Sequence, residues 1–171
     1  MERLWTPWRL AFIEQASKLD PRHQPCFLCA KPAEPRERDR ANLILYRGPR
    51  AYVLLNLYPY NPGHLMVAPY LHTGALPALD AAVASELFAL VQRAVGILEA
   101  AYRPDGLNVG LNLGRAAGAG VPDHLHVHIV PRWNGDTNFM PVLGETKVLP
   151  ETLEQTYDRL RPHFARLTEE H

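Results

Sequence analysis

The spacing of apolar positions changes several times along this chain, and each change predicts a different kind of element. Residues 42–47 (N-L-I-L-Y-R) and 51–57 (A-Y-V-L-L-N-L) are short apolar runs joined by Gly48-Pro49-Arg50, a hairpin signal. Y-P-Y-N-P-G (58–63) reads as a turn, and H-L-M-V-A-P (64–69) as a third strand ended by Pro69. From Leu76 to Tyr102 the spacing lengthens to three and four. Leu79, Val83, Leu87, Leu90, Val91, Ala94 and Leu98 then form one apolar stripe, which predicts a helix. Asp80 is its expected N-cap and Pro104-Asp105-Gly106 its stop. Short runs return in L-N-V-G-L-N-L (107–113) and, after the glycine-rich G-R-A-A-G-A-G (114–120), in D-H-L-H-V-H-I-V-P-R-W (123–133). Beyond Pro150, Leu153, Tyr157 and Leu160 fall on one side of a second predicted helix.

This order of elements predicts an α+β fold, a mainly antiparallel five-stranded sheet with one long helix and a C-terminal helix. At 171 residues the chain suits one domain. It divides into an N-terminal extension (1–40), a core (41–140) and a helical tail (141–171). Within the extension, Trp5, Trp8, Leu10, Phe12 and Ile13 suggest a short amphipathic segment packed on the main body. The prolines and charges of K-P-A-E-P-R-E-R-D-R read as an exposed loop.

Charge narrows the classes of partner. Eighteen Lys and Arg balance eighteen Asp and Glu, which argues against a generally basic nucleic-acid binder and a polybasic membrane anchor. An anionic ligand must then be met by local donors. The first residues carry no apolar core of signal-peptide length, and no later run reads as the roughly 20 apolar residues that span a bilayer, so a cytoplasmic protein is expected. The only two cysteines, Cys26 and Cys29, form a C-x-x-C pair rather than a disulfide framework.

The last predicted strand holds the strongest chemical signal. Alternate residues of a strand share a face, so His124, His126 and His128 are expected to project together while Leu125, Val127 and Ile129 face the core. A row of imidazoles is costly to build without a use. It could bind metal, or it could hold one nucleophilic imidazole tuned by its neighbours. The preceding loop favours the nucleophile, because Gly114, Gly118 and Gly120 let backbone N–H groups approach an anion closely; Arg115 could add charge there, though a loop arginine is more often just solvated. It lacks the Gly-Lys-Ser/Thr of a Walker A loop.

H-L-H-V-H-I-V, with N-P-G-H-L-M-V-A-P and L-N-L-G upstream, resembles the histidine triad family over roughly residues 42–140. The resemblance implies a nucleotide-binding α+β fold, usually a homodimer, in which His126 attacks the α-phosphate of a nucleotide. It also implies that His128 contacts the phosphate or leaving group, that His124 supports His126, and that Asn112 donates to the phosphate or the leaving oxygen. His64 and Asn56 match positions lining the nucleotide pocket. L-W-T-P-W-R, N-L-Y-P-Y-N-P-G-H-L-M-V and H-V-H-I-V-P-R-W-N-G-D-T-N-F are similar to a bacterial branch that includes diadenosine tetraphosphate phosphorylases. Adenine nucleotides or dinucleoside polyphosphates, with inorganic phosphate as acceptor, are the implied partners. A hydrolase of dinucleoside polyphosphates or nucleoside phosphoramidates and a low-turnover nucleotide-binding regulator are the alternatives. The chain departs from the family in A-G-A-G-V-P-D, which lacks the hydroxyl residue many members place before the triad; backbone N–H groups of Gly118 to Val121 are the expected substitute.

C-x-x-C offers two zinc ligands at a common spacing; on its own it could equally be a redox pair, but no thioredoxin-like βαβ context surrounds it. The resemblance supplies His72 and His124 as the other two, for a closed structural site. His23, His163 and His171 read as surface residues, and Trp133 could stack on a base or pack in a core or dimer interface.

Overall fold

Two faces of one sheet do different work in this protein. In the computed structural model, which describes residues 26–136 and 149–167, strands β1 (Ile44–Arg47), β2 (Ala51–Leu55), β3 (Leu65–Pro69), β4 (Gly106–Leu111) and β5 (Val127–Arg132) are ordered β1-β2-β3-β5-β4. Every pairing is antiparallel. Trp5, Trp8, Leu10, Phe12, Ile13, His23 and His171 lie outside the described residues.

Leu45, Val53, Leu55, Leu65, Val67, Val127 and Ile129 form one core. Against them pack Leu87, Leu90, Val91, Ala94 and Leu98 of a long helix, together with Tyr157, Leu160 and Phe164 of the C-terminal helix. The alternate residues Ile44, Tyr52, Leu54, Met66 and Ala68 form a second core under Leu28. Burial on both sides explains why A-Y-V-L-L reads as a continuous apolar run rather than an alternating one.

The helices are α1 (Phe27–Ala33), the single turn α2 (Asp39–Asn42), α3 (Ala81–Tyr102) and α4 (Leu153–Arg166). Asp80 caps α3 by accepting from the Val83 N–H at 2.8 Å. The turn Leu76–Ala78 is a separate 3₁₀ segment, so α3 starts later than its apolar stripe. By length and composition α3 is apolar enough to cross a membrane, contrary to expectation. Its solvent face raises the average with small residues (Ala81, Ala82, Ala89, Ala100), while its large aliphatic side chains lie on the sheet.

The predicted exposed loop at 31–40 is instead helical around a clamp. Arg47 of β1 donates to Pro32 O at 2.6 Å, to Glu34 O at 3.0 Å and to the Asp39 carboxylate at 2.6 Å. A β-strand arginine thus collects the carbonyls at the end of α1, a partner that local composition could not reveal. In α4, Thr152 and Gln155 form a capping box, and Leu153, Tyr157 and Leu160 share one side as expected, which packs on the core. His163 is half-buried on α4.

The triad does not lie wholly on a strand. β5 begins at Val127, so only His128 sits on the ladder, between Met66 of β3 and Gly110 of β4. The lead-in pairs with a loop instead: Leu125 N–H donates to Thr73 O at 2.7 Å. Gly74 makes this approach possible, since a Cβ there would stand 2.1 Å from Pro122 O. Side-chain alternation nevertheless persists, with Leu125, Val127 and Ile129 in the helix-side core.

Candidate active site and metal centre

The first histidine turns away from the other two. His124 is fully buried, and its Nε2 donates to Pro69 O at 2.9 Å, at the end of β3. That bond leaves the lone pair on Nδ1, which faces Cys26 Sγ and Cys29 Sγ at 3.4 Å each and His72 Nδ1 at 3.3 Å. Cys29 Sγ also lies 3.3 Å from His72 Nδ1. The four ligand atoms sit within 4.8 Å of one another.

This set fits a metal. Tetrahedral zinc with the usual Zn–S and Zn–N lengths separates its ligand atoms by roughly 3.3–3.8 Å, and the measured contacts fall at the short end of that range. Burial lowers the His124 pKa, the Pro69 carbonyl opposes that shift, and His72 and His126 lower it further, so the imidazole is held neutral as a ligand must be. Desolvation and the neighbouring Cys26 raise the Cys29 thiol above its ordinary range; a cation between the sulfurs would reverse that balance. The Pro69 carbonyl supplies the outer hydrogen bond that orients a ligating histidine.

His126 and His128 lie outside that ligand set. His126 Nδ1 donates to His124 O at 2.8 Å, which puts its lone pair on Nε2. The ring is 95% buried and packs edge-on to His128, with centroids 4.7 Å apart. His128 has the opposite tautomer, set by a chain of donors. The Tyr60 backbone N–H points at His64 Nδ1 at 3.1 Å and can only donate, so His64 carries its proton on Nε2. His64 Nε2 donates in turn to His128 Nδ1 at 3.0 Å. His128 therefore bears its proton on Nε2. One imidazole offers an electron pair and its neighbour a proton.

His64 is buried and stacked on Tyr60, with centroids 5.0 Å apart. Asn56 lies beside it: its Nδ2 is 3.4 Å from His64 Nε2, and its Oδ1 accepts from Tyr58 N–H at 3.0 Å. Asn112 follows Leu111, which pairs with Val127, so it stands one residue further along the ladder toward His126. Gly118 and Gly120 are exposed. The loop's amides are less available than expected, because Gly118 N–H donates to Arg115 O at 2.9 Å and Ala119 N–H to Gly114 O at 3.3 Å. Of the four amides expected to replace the hydroxyl, two are thus engaged within the loop. Trp133 stands beyond the far end of β5, with its ring edge toward Tyr102 of α3 at 6.2 Å, apart from the histidines.

Sequence reasoning missed the Tyr60 amide, the Pro69 carbonyl and the supporting role of Asn61. Asn61 is buried and donates to Pro131 O and to Asp136, both at 2.8 Å, pinning the 58–63 turn to the end of β5. The N-P-G-H string marks the turn, but main-chain partners leave no sequence signal.

An interior strand and its lead-in that present two histidines in complementary tautomers, with a third beside two cysteines, define the class. Residues 37–135 match the HIT domain, and the chain belongs to the histidine triad family. AP-4-A phosphorylase of Mycobacterium tuberculosis is 44% identical over 172 residues, covering 97% of this chain and 86% of that protein. A zinc-bound histidine triad family protein from Mycobacterium smegmatis superposes with a TM-score of 0.64 at 26% identity, over 85% of this chain and 97% of the other. A uridylyltransferase structure gives a TM-score of 0.65 at 16% identity over 92% of this chain and 50% of its own, a likeness of fold alone.

Proposed function

We propose that this protein is a nucleotidyltransferase that cleaves diadenosine tetraphosphate with inorganic phosphate, giving ATP and ADP through an adenylyl-His126 intermediate. The observation that carries it is the bond from His126 Nδ1 to His124 O, which aims the electron pair of Nε2 away from the backbone. The similarity to AP-4-A phosphorylase supports the substrate and the acceptor.

Nε2 of His126 attacks the α-phosphorus, and the bond to the bridging oxygen breaks with its electron pair leaving on ATP. His128 gives its Nε2 proton to that oxygen, the general-acid half of the pair. Nδ1–H of His126 carries the positive charge of the intermediate into the His124 carbonyl. A phosphate oxygen then attacks the same phosphorus, the P–N bond breaks back onto Nε2, and His128 recovers its proton from the entering phosphate. ADP departs and the starting tautomers return. His64 acts as a positioning residue, holding the proton of His128 on the nitrogen that faces substrate.

Cys26, Cys29, His72 and His124 would hold a structural zinc ion, tying α1 and the loop after β3 to the catalytic lead-in. The zinc-bound relative supports this choice of metal. Reduced thiols suit the cytoplasm. A single domain is the organisation proposed for the chain, and a second copy is the natural cover for the sheet edge at β4, where Val109 and, two residues beyond the strand, Leu113 are 48% and 46% exposed.

The test incubates purified protein with labelled diadenosine tetraphosphate, with and without inorganic phosphate. Release of ATP plus ADP that requires phosphate is expected. Equal release of ATP plus AMP without phosphate would make the protein a hydrolase, and binding without turnover would make it a regulator.

A further inference from the structure

A phosphorylase has a difficulty that a hydrolase escapes. Its acceptor is an anion that must approach a phosphorus already surrounded by negative oxygens, whereas water carries no charge. Something beside His126 must neutralise the incoming phosphate. The glycine loop offers little toward this, since the N–H groups of Gly118 and Ala119 are spent on Arg115 O and Gly114 O, and the amides of Gly120 and Val121 carry no net charge to set against an anion. No Ser, Thr, Asn or Gln lies between Gly114 and Pro122.

Arg115 meets the requirement. It is the only Lys or Arg between Pro104 and Pro131, the stretch that supplies β4, the loop and the triad. It heads the turn Arg115–Ala117, which Gly114 (φ +81°) and Gly118 (φ +84°) frame with backbone angles open to glycine. It is exposed, and among the described residues no carboxylate is paired with it. Its place in the chain is close to the chemistry. Leu111 pairs with Val127, so Asn112 comes alongside His126, and the three residues from Asn112 to Arg115 span at most about 10 Å. A guanidinium also suits the ligand, because its planar fork grips two phosphate oxygens at once.

We propose that Arg115 is the acceptor-binding residue, drawing inorganic phosphate onto the open side of the adenylyl-His126 phosphorus. The proposal rests on the phosphorylase reading above. Arg115 takes no part in bond making. It positions the phosphate whose oxygen attacks phosphorus as the P–N bond breaks. It therefore acts on the second half-reaction and on the choice between phosphate and water.

The experiment compares wild type with Arg115→Gln and Arg115→Lys, measuring the two half-reactions separately. Rapid mixing with diadenosine tetraphosphate alone reads the first-turnover release of ATP. Adding inorganic phosphate to the adenylyl-enzyme reads ADP formation. In Arg115→Gln the phosphate concentration for half-maximal ADP formation rises tenfold or more, and the ratio of AMP to ADP rises with it. ATP release falls by a far smaller factor, and Arg115→Lys recovers part of the phosphate affinity. An unchanged phosphate dependence in Arg115→Gln, or equal losses in both half-reactions, overturns the assignment while leaving the phosphorylase reading intact. Wild-type turnover that ignores phosphate overturns both. Circular dichroism and zinc content of the variants identify a misfolded protein; Arg115→Lys then decides the question by its own phosphate dependence.

Discussion

The metal corner and the phosphate side of the triad are two residues apart, yet they are built on opposite principles. At the metal corner, side chains from α1, the loop after β3 and the lead-in to β5 converge on one point, all with electron pairs facing inward. Such a cluster wants a cation and rigidity. On the phosphate side, His126 and His128 are set in unlike tautomers by a carbonyl and a neighbouring imidazole, next to a loop of exposed glycines. That arrangement puts an electron pair on Nε2 of one ring and a proton on Nε2 of its neighbour. The difference shows that side-chain row and chemical role are separate properties: adjacent histidines of one motif are assigned by what holds their second nitrogen.

The sharpest way to break the comparison is to remove one histidine from each region. His126→Ala should cut turnover by about 10⁴-fold or more while zinc content and melting temperature stay near wild type. His72→Ala should do the reverse in kind, losing zinc and several kcal/mol of stability, with activity falling only as the fold loosens. Metal analysis by mass spectrometry and a thermal melt read both. Equal zinc loss in the two variants would mean that the regions are not distinct.

A second experiment probes the donor chain. His64→Ala removes the group that fixes the proton of His128, and kcat should fall by about 10²-fold with KM much less affected. His64→Gln, whose amide N–H can donate to the same nitrogen, should recover part of the loss. A loss confined to KM would return His64 to the role of a nucleotide contact.

The smallest effect lies behind both regions. Asp136 accepts from Arg132 at 2.6 Å, from Asn61 at 2.8 Å and from the Trp133 N–H at 3.3 Å, and these donors hold its carboxyl far below the usual range. A depressed carboxyl pKa stabilises the fold fully above its unfolded value of ~3.9 and loses that contribution as pH falls through the folded pKa. Asp136→Asn should therefore cost about 1–3 kcal/mol at neutral pH, and the gap to wild type should close only in strong acid. Urea melts at a series of pH values test this, and a gap that widens on acidification would contradict it.

Much of this contrast was legible in the chain, and the parts that were not share a cause. The long helix, its Asp80 cap, the hairpin and the C-x-x-C half of the ligand set follow from side chains and spacing, whereas His72 and His124 come from the family resemblance. The strand containing the triad is shorter than its sequence predicts, because His124 and Leu125 look like strand residues. Their partners are the loop at Val121 and Thr73 instead. Likewise, K-P-A-E-P-R-E-R-D-R looks like a loop until Arg47, on a distant strand, gathers its carbonyls. Backbone atoms as partners, and residues brought from elsewhere in the chain, carry no local signature. The tautomers of His64 and His128 belong to the same category, since a main-chain amide of Tyr60 starts that relay.

The central claim is that His126, and neither of its neighbours, bonds to phosphorus. Mixing the protein with diadenosine tetraphosphate in phosphate-free buffer, quenching at high pH and sequencing the labelled peptide by mass spectrometry tests it directly. The account predicts one adenylyl group on His126, absent in His126→Ala and discharged as ADP when phosphate is added. An adenylyl group on His124 or His128, or turnover with no covalent adduct in either protein, would contradict it.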